Sequence, residues 1–496
     1  MSETPTTPTR SPAANADARS YRKTLNLPKT AFPMKANLVQ NEPASLKRWA
    51  KQRLYEQVRD ARKDATMFRF HDGPPYANGS LHLGHLLNKS LKDFVVRSRT
   101  MMEQDCPYIP GWDCHGLPIE HKVMSEMSAS GKLAKLADLP DDTRRMAIRN
   151  ACKTYAQKYI KLQSGQMQRL LTLADYDNPY RTMDKQYEAD VLELFADLVE
   201  KRLVYRDLKS VHWSIENQTA LAEAELEHYD REDESVYVEF DADDKTAVAK
   251  AFGLAPDDLD RTPTFMIWTT TPWTLPANLV IAVNPKASYA LVDLGGTLTV
   301  IAEDLIERIS KAGGCRATLV AKTTGDKLVS LHYHHPLIED RVAFRKQLND
   351  RAPSLPDNWK LWRLVAAKHV TLDDGTGLVH TAPGHGREDE LVGRAHFLPM
   401  YCPVQQDGTY DDSVPEDLQS MLVWDANPKI VQQLRDSGHL YHSETITHSY
   451  PHDWRGKSPV IFRATRQWFI RVDPDAAPNH PGHDAPPLRG LGLQAT

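Results

Sequence analysis

One segment of this 496-residue chain can continue neither a strand nor a helix: residues 72–80, Asp-Gly-Pro-Pro-Tyr-Ala-Asn-Gly-Ser. Its two prolines and two glycines force a loop. Before it, residues 67–71 alternate apolar and polar side chains, as a short strand does. After it, apolar side chains recur at helical spacing, and Asn78 or Ser80 can cap that helix. The sequence predicts a strand, a tight loop and a helix, whose apolar face is formed by Leu83, Leu86, Leu87, Leu91, Phe94 and Val95.

Composition and charge exclude several classes of protein. The 61 Lys and Arg residues nearly balance the 66 Asp and Glu residues, and the net charge of −5 argues against a general polyanion binder without excluding a local basic face. A hydrophobic fraction of 41% is typical of globular proteins. At about 150 residues per domain, the length predicts roughly three domains. No apolar run approaches the length of a membrane-spanning helix.

The N-terminus and the cysteines indicate the compartment. The polar, Pro- and Thr-rich residues 1–20 lack the apolar core of a secretory signal, and we expect them to be disordered. The five cysteines include no C-x-x-C pair, so the sequence supports neither a disulfide framework nor a cysteine zinc site. We therefore expect a cytoplasmic protein.

The character of the sequence changes along the chain. Residues 141–173 have the pattern of a polar-rich helix and residues 184–202 that of an amphipathic helix, so the first third is a helix-rich α/β region. Short β-branched runs separated by Pro and Gly begin near residue 234 and continue to about residue 440, which predicts a β-rich domain. Within it, the charged, Pro-containing residues 340–360 are predicted to form an insertion or a long loop.

His82 and His85 stand at the start of the predicted helix, with Gly84 between them. Residues three apart share one face of a helical turn, and the N–H groups and dipole of a first turn favour an anion. The pair is therefore a candidate for phosphate chemistry, with Gly84 leaving room for a base or ribose. An H-x-x-H metal pair or two incidental surface histidines are the alternatives, and the missing third ligand weakens the metal interpretation.

Two further segments carry clusters of polar side chains. Residues 269–271 are three consecutive threonines at a predicted strand end, where hydroxyls can orient a water or bind an ester, although threonines are also simply frequent in strands. Farther on, a strand is predicted to end at His380, and the Gly-rich turn after it presents His385 and Asp389. A carboxylate there can hold an amino group, and an ordinary acidic loop is the alternative.

Residues 72–85, DGPPYANGSLHLGH, resemble the HIGH signature region of class I aminoacyl-tRNA synthetases. Three other segments resemble the isoleucine-specific branch of that family: GWDCHGLPIE at 111–120, WTTTPWTLPAN at 268–278 and GTGLVHTAPGHGREDE at 375–390. The resemblance extends from about residue 21 to residue 473. It implies an α/β fold, made of the first half of a Rossmann-type catalytic domain with a large β-rich editing-domain insertion.

The resemblance also implies a division of the chain. Residues 21–204 correspond to the N-terminal half of the catalytic domain, residues 205–440 to the inserted editing domain, and residues 441–473 to the return into the catalytic domain. The similarity ends after residue 473. Residues 474–496 are crowded with Pro, Gly and His, and we expect them to form an aberrant, disordered tail.

In this family the catalytic domain activates isoleucine with ATP, which magnesium accompanies as substrate, and transfers the amino acid to tRNA(Ile). The resemblance places Pro74 at the wall of the isoleucine side-chain pocket and Asp113 at the amino group. A rigid apolar wall suits a butyl side chain, and a carboxylate suits an ammonium. The positions that the resemblance implies for contact with the ATP phosphates lie within residues 75–85 and are His82, Gly84 and His85.

The inserted domain is implied to be a hydrolytic editing site. Isoleucine against valine is the standard example of a limit in recognition: one methylene in an apolar pocket is worth only about 1–3 kcal/mol, so a second site must hydrolyse valyl products. In the family, water rather than a protein nucleophile attacks, and Asp389 corresponds to the carboxylate that holds the amino group. The positions implied to line this site are Thr269, Thr270, Thr271, Asn278 and His380.

The chain departs from the family pattern in several places. It contains no KMSKS-like sequence, no second half of the nucleotide-binding domain and no helical anticodon-binding region. Residues 213–217 and 452–457 lack the cysteine pairs that members often carry there, so zinc is not supported, and Arg466 replaces a usual proline. We therefore expect a C-terminally truncated or frameshifted reading frame, or one part of a split gene, present as a monomer and with weak or no aminoacylation on its own.

The sequence leaves three alternative functions open. Compact small-molecule nucleotidyltransferases also begin a helix with H-x-G-H, but they do not account for the Thr-rich and Gly-rich segments. A non-catalytic tRNA-binding remnant would use the basic side chains between residues 144 and 169 on acceptor-stem phosphates, although a solvated helix face is the plainer interpretation. A stand-alone editing hydrolase is the third alternative.

Overall fold

The computed structural model describes residues 35–170, 172–352, 356, 359–473 and 488–495, together with residues 24, 26 and 31. The chain divides into two compact units, residues 1–188 and residues 189–496, called unit 1 and unit 2. The disorder predicted for residues 1–20 lies outside the described residues, as do residues 474–487 and residue 496 of the predicted tail.

Unit 1 consists of helices around a very short parallel strand pair. Its helices are α1 (Leu38–Gln52), α2 (Leu54–Arg62), α3 (Leu83–Met101), α4 (Leu117–Ala129) and α5 (Asp141–Arg169). Strands β1 (Gly111–Trp112) and β2 (Tyr180–Arg181) pair in parallel, and α4 and α5 form the crossover that parallel pairing requires. Helix α6 (Lys185–Glu200) begins in unit 1 and continues into unit 2. Both helices predicted for this region, α5 and α6, are therefore confirmed.

The helix predicted after the loop is α3, but neither Asn78 nor Ser80 caps it. His82 is the N-cap residue: its Nδ1 accepts a hydrogen bond from the Gly84 N–H at 3.1 Å, and the His82 N–H donates to Nδ1 of His85 at 3.3 Å. This reciprocal pair is a capping box made by two imidazoles. The predicted cap was wrong because His is not among the residues favoured at the N-cap.

Helix α3 buries the face that the sequence predicts to be exposed. Its buried side chains include Lys89 and Asp93, whereas three side chains of the predicted apolar face are 80% (Leu83), 64% (Leu87) and 64% (Phe94) exposed. The 3.6-residue periodicity predicted the helix correctly, but within the described residues most of its apolar face has no covering element.

Ion pairs and hydrogen bonds hold the polar face of α3 inside unit 1. Lys89 Nζ lies 2.9 and 2.8 Å from the two carboxylate oxygens of Asp72, which Lys92 also contacts. Asp93 accepts a hydrogen bond from the Leu173 N–H at 3.0 Å. Because a buried charge is tolerated when it is paired and hydrogen-bonded, these contacts stabilise the inward orientation of the polar face.

Residues 67–71 do not form a strand. Met67 makes an isolated parallel bridge to Asp105, and the Phe68 N–H donates to the Asp105 carbonyl at 2.7 Å. Phe68 and Phe70 are half-buried, as the alternating pattern predicts. The predicted strand is wrong because the pairing is limited to the backbone around Asp105.

Unit 2 holds the long strands of the chain. These are β3 (Val204–Ser214), β4 (Thr219–Leu221), β5 (Leu226–Asp241), β6 (Thr264–Thr269), β7 (Val280–Val283), β8 (Ser288–Asp293), β9 (Leu298–Ala302), β10 (Thr318–Thr324), β11 (Arg363–Ala366), β12 (Leu378–Thr381), β13 (Leu440–Asp453) and β14 (Val460–Ile470). Its helices are α7 (Lys245–Ala251), α8 (Ile306–Ala312), α9 (Gly325–Leu328), α10 (Arg341–Arg351), α11 (Arg387–Ala395), α12 (Val423–Asp436) and α13 (Leu488–Ala495).

The strands of unit 2 form three sheets in the described part of the chain. The largest has the order β10-β8-β9-β6-β5-β13, a second has the order β11-β7-β12, and the third has the order β14-β3-β4. The helical first part and the β-rich second part confirm the predicted α/β class. One continuous apolar core runs through unit 2, and its largest fully buried side chains include Tyr237, Phe240, Phe265, Tyr289, Tyr333, Trp362 and Tyr410.

The region predicted as an insertion or long loop, residues 340–360, contains helix α10. The carboxylate of Asp340 caps it by accepting hydrogen bonds from the N–H groups of Val342 (3.0 Å) and Ala343 (2.9 Å). Phe344 and Leu348 are buried four residues apart on its inner face. The loop prediction was wrong because it weighed the charges and prolines above this short apolar stripe.

The predicted disordered tail contains helix α13 at residues 488–495. Arg489 ties it to the end of β14: its guanidinium pairs with the Asp473 carboxylate at 2.5 and 2.9 Å, and its N–H donates to the Val472 carbonyl at 3.1 Å. Over these eight residues the structure is therefore helical, contrary to the expectation of disorder.

The sequence predicts neither a disulfide framework nor a membrane-spanning helix. Cys106, Cys114, Cys152, Cys315 and Cys402 are all free thiols. Among the described residues, no helix has both the length and the apolar character needed to cross a bilayer.

Candidate functional site

One buried amide fastens the loop before α3 to helix α5. Gln163 is fully buried, and its Nε2 donates to the carbonyls of Tyr76 and Gly79, both at 3.0 Å. Its Oε1 accepts a hydrogen bond from the Trp112 indole N–H at 3.0 Å. Because one side chain satisfies all of these groups, the loop and strand β1 keep a fixed spacing from α5.

Two more side chains of α5 hold the same loop. The Tyr155 hydroxyl donates to Asn78 Oδ1 at 2.7 Å, and Gln166 Oε1 accepts from the Leu81 N–H at 2.9 Å. Asn78 Nδ2 donates in turn to the Pro118 carbonyl at 3.1 Å, at the start of α4. The beginning of α3 is thus positioned from both α4 and α5.

The two histidines that begin α3 present their second ring nitrogens as donors. Their ring centroids lie 3.9 Å apart at an angle of 50°, with His82 exposed and His85 half-buried. Burial, followed by the charges of His82 and Lys89, lowers the pKa of His85. Because both Nδ1 atoms accept backbone N–H bonds, the proton of each neutral ring lies on Nε2. Two such donors at a helix N-terminus suit phosphate oxygens.

Asp113 and Pro74 lie at the same loop. The Asp113 N–H donates to the Pro75 carbonyl at 2.9 Å, and the Ala77 N–H donates to the Asp113 carbonyl at 2.8 Å. The Asp113 carboxylate is half-buried and accepts a hydrogen bond from the His115 N–H at 3.3 Å. The structure therefore brings the two positions implied for isoleucine to the loop that leads into His82.

A cleft of about 1110 Å³ opens beside His82. Its apolar wall comes from the end of the loop, the start of α3 and the C-terminal half of α5. Lys158, Lys161 and Arg169 of α5 also line it, and Arg169 pairs with Glu42. The cleft thus combines an apolar wall with basic side chains.

Much of the predicted basic face of α5 is engaged in ion pairs within unit 1. Arg144 and Arg145 pair with Asp141 at 2.5 and 2.7 Å, and Arg149 lies 3.5 Å from Glu188. These exposed pairs favour the solvated-face interpretation for that end of the helix.

Unit 2 contains a separate cavity of about 320 Å³ where strands β6 and β12 end. Asp374 and the glycines at 375 and 377 form part of its wall. Of the positions implied for editing, those that line the cavity are Thr269, Thr270, Thr271, His380 and Asp389.

The threonines of this cavity form a connected group of hydroxyls. The Thr271 N–H donates to Thr269 Oγ1 at 3.1 Å, and the two hydroxyl oxygens are 3.2 Å apart. Thr274 extends the group, with its Oγ1 lying 3.4 Å from that of Thr271 and donating to the Thr271 carbonyl at 2.8 Å. The group places hydroxyls where they can hold a water or an ester oxygen.

His380 is buried and locked in one tautomer. Asn278 Nδ2 lies 2.8 Å from His380 Nδ1, and Thr274 Oγ1 lies 2.9 Å from Nε2. Nδ1 must accept, because Asn278 Nδ2 also donates to the Val280 carbonyl and is therefore the amide nitrogen. The proton consequently lies on Nε2 and is donated to Thr274. Burial, followed by the nearby His335 and His385, lowers the pKa of His380 to about 3, so the ring is neutral at pH 7.

Asn278 stands behind the cavity rather than in its wall. It is fully buried, and its Oδ1 accepts a hydrogen bond from the Tyr333 hydroxyl at 2.6 Å. The cavity is lined by the residues in front of it, His380 among them. The structure therefore gives Asn278 the position of a support for the imidazole.

Asp389 is one of two acidic residues that line this cavity, and Asp374 is the other. Asp389 Oδ2 accepts a hydrogen bond from the Ala382 N–H at 2.8 Å, and its side chain projects from the first turn of α11. Burial raises the pKa of Asp389 to about 7, with the Ala382 hydrogen bond and His385 opposing the rise. A carboxyl that titrates near neutral pH in a small cavity is typical of a functional group.

His385 also lines the cavity, but one of its nitrogens is engaged elsewhere. Its Nδ1–H donates to the Phe462 carbonyl of β14 at 2.9 Å, and its ring contacts the Trp273 ring edge-on, with centroids 5.1 Å apart. The prediction that the Gly-rich turn presents both His385 and Asp389 thus agrees with the lining of the cavity.

The two turns where family members often carry cysteine pairs are joined here by side chains. Asn217 Nδ2 donates to Asp453 Oδ2 at 2.6 Å, and Asp453 Oδ1 accepts from the Arg455 N–H at 2.8 Å. Neither turn contains a cysteine whose thiolate could bind zinc. Within the described ranges, no group of three or more His, Cys, Asp or Glu side chains is arranged to hold a metal ion.

Thr274 and Gln163 are among the residues of these sites that the sequence did not single out. Thr274 lies inside the Thr-rich segment, and its hydroxyl is part of the connected set of threonine hydroxyls. Its place in that segment could have identified it as a site residue. Gln163 had no such signal, because a glutamine in a polar-rich helix is not distinguishable by pattern from its exposed neighbours.

A profile of the family described as tRNA synthetases class I (I, L, M and V) matches residues 44–479. The match covers most of the chain, including both sites described above. The chain therefore belongs to this family of class I aminoacyl-tRNA synthetases, and the resemblance seen in the sequence is confirmed.

Relatives of the chain are isoleucine–tRNA ligases. That of Brachyspira hyodysenteriae is 42% identical over 92% of this chain and 46% of its own length. Those of Kosmotoga olearia and Aquifex aeolicus are each 44% identical over 91% of this chain, covering 44% and 45% of their own lengths. The chain thus spans slightly less than half the length of these relatives. Among solved structures, an Agrobacterium radiobacter K84 LeuRS in a ternary complex with tRNA and LeuAMS is 17% identical, with a TM-score of 0.33, over 88% of this chain and 51% of that one.

Proposed function

We propose that the chain is an isoleucine–tRNA ligase polypeptide that hydrolyses valine from mischarged tRNA(Ile) in the cavity of unit 2. The observation that carries the proposal is the convergence of three kinds of group on one cavity. These are a carboxyl whose pKa is about 7, a connected set of hydroxyls and a neutral imidazole. All of these groups belong to unit 2.

The proposed reaction is hydrolysis of the ester between the amino acid and the terminal ribose. Ionised Asp389 binds the ammonium of the misplaced amino acid, and the hydroxyls of Thr269 and Thr271 orient a water. The water oxygen bonds to the ester carbonyl carbon, the bond from that carbon to the ribose oxygen breaks, and a water proton goes to the ribose oxygen. His380 supports this arrangement as a fixed donor to Thr274, because a group whose pKa is about 3 is a poor proton acceptor at pH 7.

The histidine site of unit 1 supports the ATP-dependent half of the same function. The Nε2 donors of His82 and His85 are suited to ATP phosphates and to charge that develops during adenylation. Pro74 and Asp113 would then receive the isoleucine side chain and ammonium. For the 496-residue chain alone we expect little isoleucine-dependent pyrophosphate exchange, because its sequence holds no KMSKS-like loop.

The experiment that tests the hydrolytic proposal compares two charged tRNAs. The 496-residue chain is expected to release valine from tRNA(Ile) much faster than isoleucine. Asp389→Ala is expected to lower the valine rate about 100-fold or more while the circular dichroism spectrum is unchanged, since a charge-assisted contact is lost. Glu388→Ala, which removes the exposed neighbouring carboxylate, is the matched control. Unchanged hydrolysis in Asp389→Ala would sink the proposed site.

Binding of tRNA(Ile) without catalysis is the second candidate, and Lys158 and Lys161 at the cleft of unit 1 favour it. Contact between these lysines and phosphates predicts binding that weakens as salt increases. Gel shifts over a salt series with the double variant Lys158→Gln/Lys161→Gln measure this. A salt slope identical to that of the unmodified chain argues against phosphate contacts there.

A further inference from the structure

Helix α11, which carries Asp389, is attached to strand β3 through the next residue along the chain. Glu390 is buried, and its Oε2 accepts a hydrogen bond from the Ser210 N–H at 2.9 Å. Its Oε1 accepts from Arg394 Nε at 2.8 Å, and Arg394 also donates to the Leu208 carbonyl at 3.0 Å. A buried carboxylate is costly unless its oxygens are satisfied, so Glu390 strongly favours this one placement of α11 on β3.

The turn before α11 is attached to strand β14. The His385 Nδ1–H donates to the Phe462 carbonyl at 2.9 Å, and the Ala464 N–H donates to the Gly384 carbonyl at 2.8 Å. Ala464 is the ladder partner of Ser210. The attachments of the turn and of the helix therefore meet at one position of the β3–β14 pair.

Asp389 depends on both attachments. Its carboxylate is bonded to the Ala382 N–H at the other end of the same turn, and its backbone belongs to the first turn of α11. A shift of either the turn or the helix moves the carboxylate relative to the cavity. Glu390 is not among the residues that line the cavity, so it has no direct route to a bound ester. His385 does line the cavity, so whether it acts through Asp389 or on the ester is what the double-mutant cycle decides.

We infer that His385 and Glu390 are positioning residues for the hydrolytic reaction: they fix Asp389 at the cavity by tying its turn and its helix to the β3–β14 ladder. The inference rests on the proposed function, because it assumes that Asp389 binds the ammonium. Its distinguishing consequence is that both residues act through Asp389.

A double-mutant cycle on valine release from tRNA(Ile) by the 496-residue chain tests this consequence. His385→Ala and Glu390→Ala are each expected to lower kcat about 10–100-fold, with KM within about twofold, because misplacing a binding group by about 1 Å has effects of this size. In the Asp389→Ala background the same substitutions are expected to have no further effect, since their target is gone. Single turnovers with excess enzyme make the residual rates measurable.

The controls separate positioning from a general loss of structure. Arg387→Ala, on the exposed side of the same helical turn, is expected to leave kcat unchanged. His385→Asn and Glu390→Gln keep a donor to Phe462 and an acceptor for Ser210, and are expected to recover most of the rate. If the alanine variants do not fold, the cycle is run with Glu390→Gln and His385→Gln, whose smaller losses must likewise vanish in the Asp389→Ala background.

Three results overturn the inference. Single variants with unchanged kcat show that the attachments do not matter, and losses that persist in the Asp389→Ala background show that the residues act otherwise. Failure of conservative replacement to restore any rate in a folded chain contradicts the role of the two hydrogen bonds. If Asp389→Ala itself has no effect, the proposed function fails instead, so the two failures are distinguishable.

Discussion

The histidines of unit 1 and unit 2 are held in opposite ways. His82 and His85 lie at a helix start where their Nδ1 atoms are bonded to backbone N–H groups and their Nε2 atoms are left as donors. His380 is enclosed, with Asn278 on one ring nitrogen and Thr274 on the other. The first arrangement leaves imidazole donors for a ligand, whereas the second uses the imidazole to hold other protein groups in place.

The surroundings of the two sites also differ, since the first is open and the second is enclosed. Helix α3 exposes its apolar side chains and begins beside an open cleft. The cavity of unit 2 is small, and the strands and helices that form it share one continuous core. The comparison indicates that the cavity of unit 2 is built into a continuous core, while the histidine pair of unit 1 lies at an edge that a ligand can approach.

The largest loss of stability is expected when Gln163, which holds the loop before α3, is substituted. Gln163→Leu removes the partners of the Trp112 indole and of two loop carbonyls in a fully buried position. Each unsatisfied buried group costs about 1–3 kcal/mol, so the free energy of unfolding should fall by more than about 3 kcal/mol. Chemical denaturation followed by tryptophan fluorescence measures it.

Gln168→Leu is the matched control for that variant. Gln168 is an exposed glutamine on the same helix, and its side chain bonds only to Ser164 among the described residues. Its substitution should change the free energy of unfolding by less than about 0.5 kcal/mol. Equal effects of the two variants would contradict the role given to Gln163.

The next difference is expected in the protonation of the imidazoles of His380 and His85. With its pKa at about 3, His380 should remain neutral throughout the pH range in which an ordinary histidine titrates, whereas the half-buried His85 should titrate closer to that range. Long-range 1H–15N spectra of the imidazoles between pH 4 and pH 8 report both. A midpoint near pH 6 for His380 would show that the ring is not locked and would remove the contrast between the two sites.

What the sequence could and could not predict follows from how local each feature is. The pattern of neighbouring side chains predicts helices α5 and α6 and the β-branched strands, and the structure contains these helices and strands. The buried face of α3 is not local, because it depends on the pairing of Lys89 with Asp72, seventeen positions earlier. The threonines and the carboxylate could be singled out from their segments, and the resemblance added their editing roles, while Gln163 is visible only once the loop is folded against α5.

A pH dependence of hydrolysis is the third expected effect. Asp389 is protonated below its pKa of about 7 and ionised above it, so kcat/KM for valine release should fall about tenfold per pH unit below pH 7. Asp389→Asn should have a low rate without this acid limb. A profile that is flat from pH 5 to pH 7 in the unmodified chain would disprove the role of the carboxylate.

The hydrolysis rate should rise with pH as Asp389 ionises, whereas the contribution of Asp389 to the free energy of unfolding should fall. Its pKa is higher in the folded chain than in an unfolded one, so the folded state binds more protons between about pH 4 and pH 7. Its contribution to stability is therefore present below about pH 4 and is lost as the pH rises to about 7. Asp389→Asn should remove this part of the pH dependence, which denaturation at several pH values measures.

The smallest loss of stability is expected at the half-buried imidazole of His85. In His85→Gln a glutamine takes the third position of the helix, where it can accept the same backbone N–H in a capping box, so the free energy of unfolding should change by less than about 0.5 kcal/mol. His380→Gln is the matched variant, and it should cost about 2–4 kcal/mol because Asn278 and Thr274 lose buried partners. If the two substitutions lower the free energy of unfolding equally, the fold depends on the two imidazoles to the same extent. If only the second is costly, the fold requires the imidazole at position 380, whereas at position 85 only the chemistry requires it.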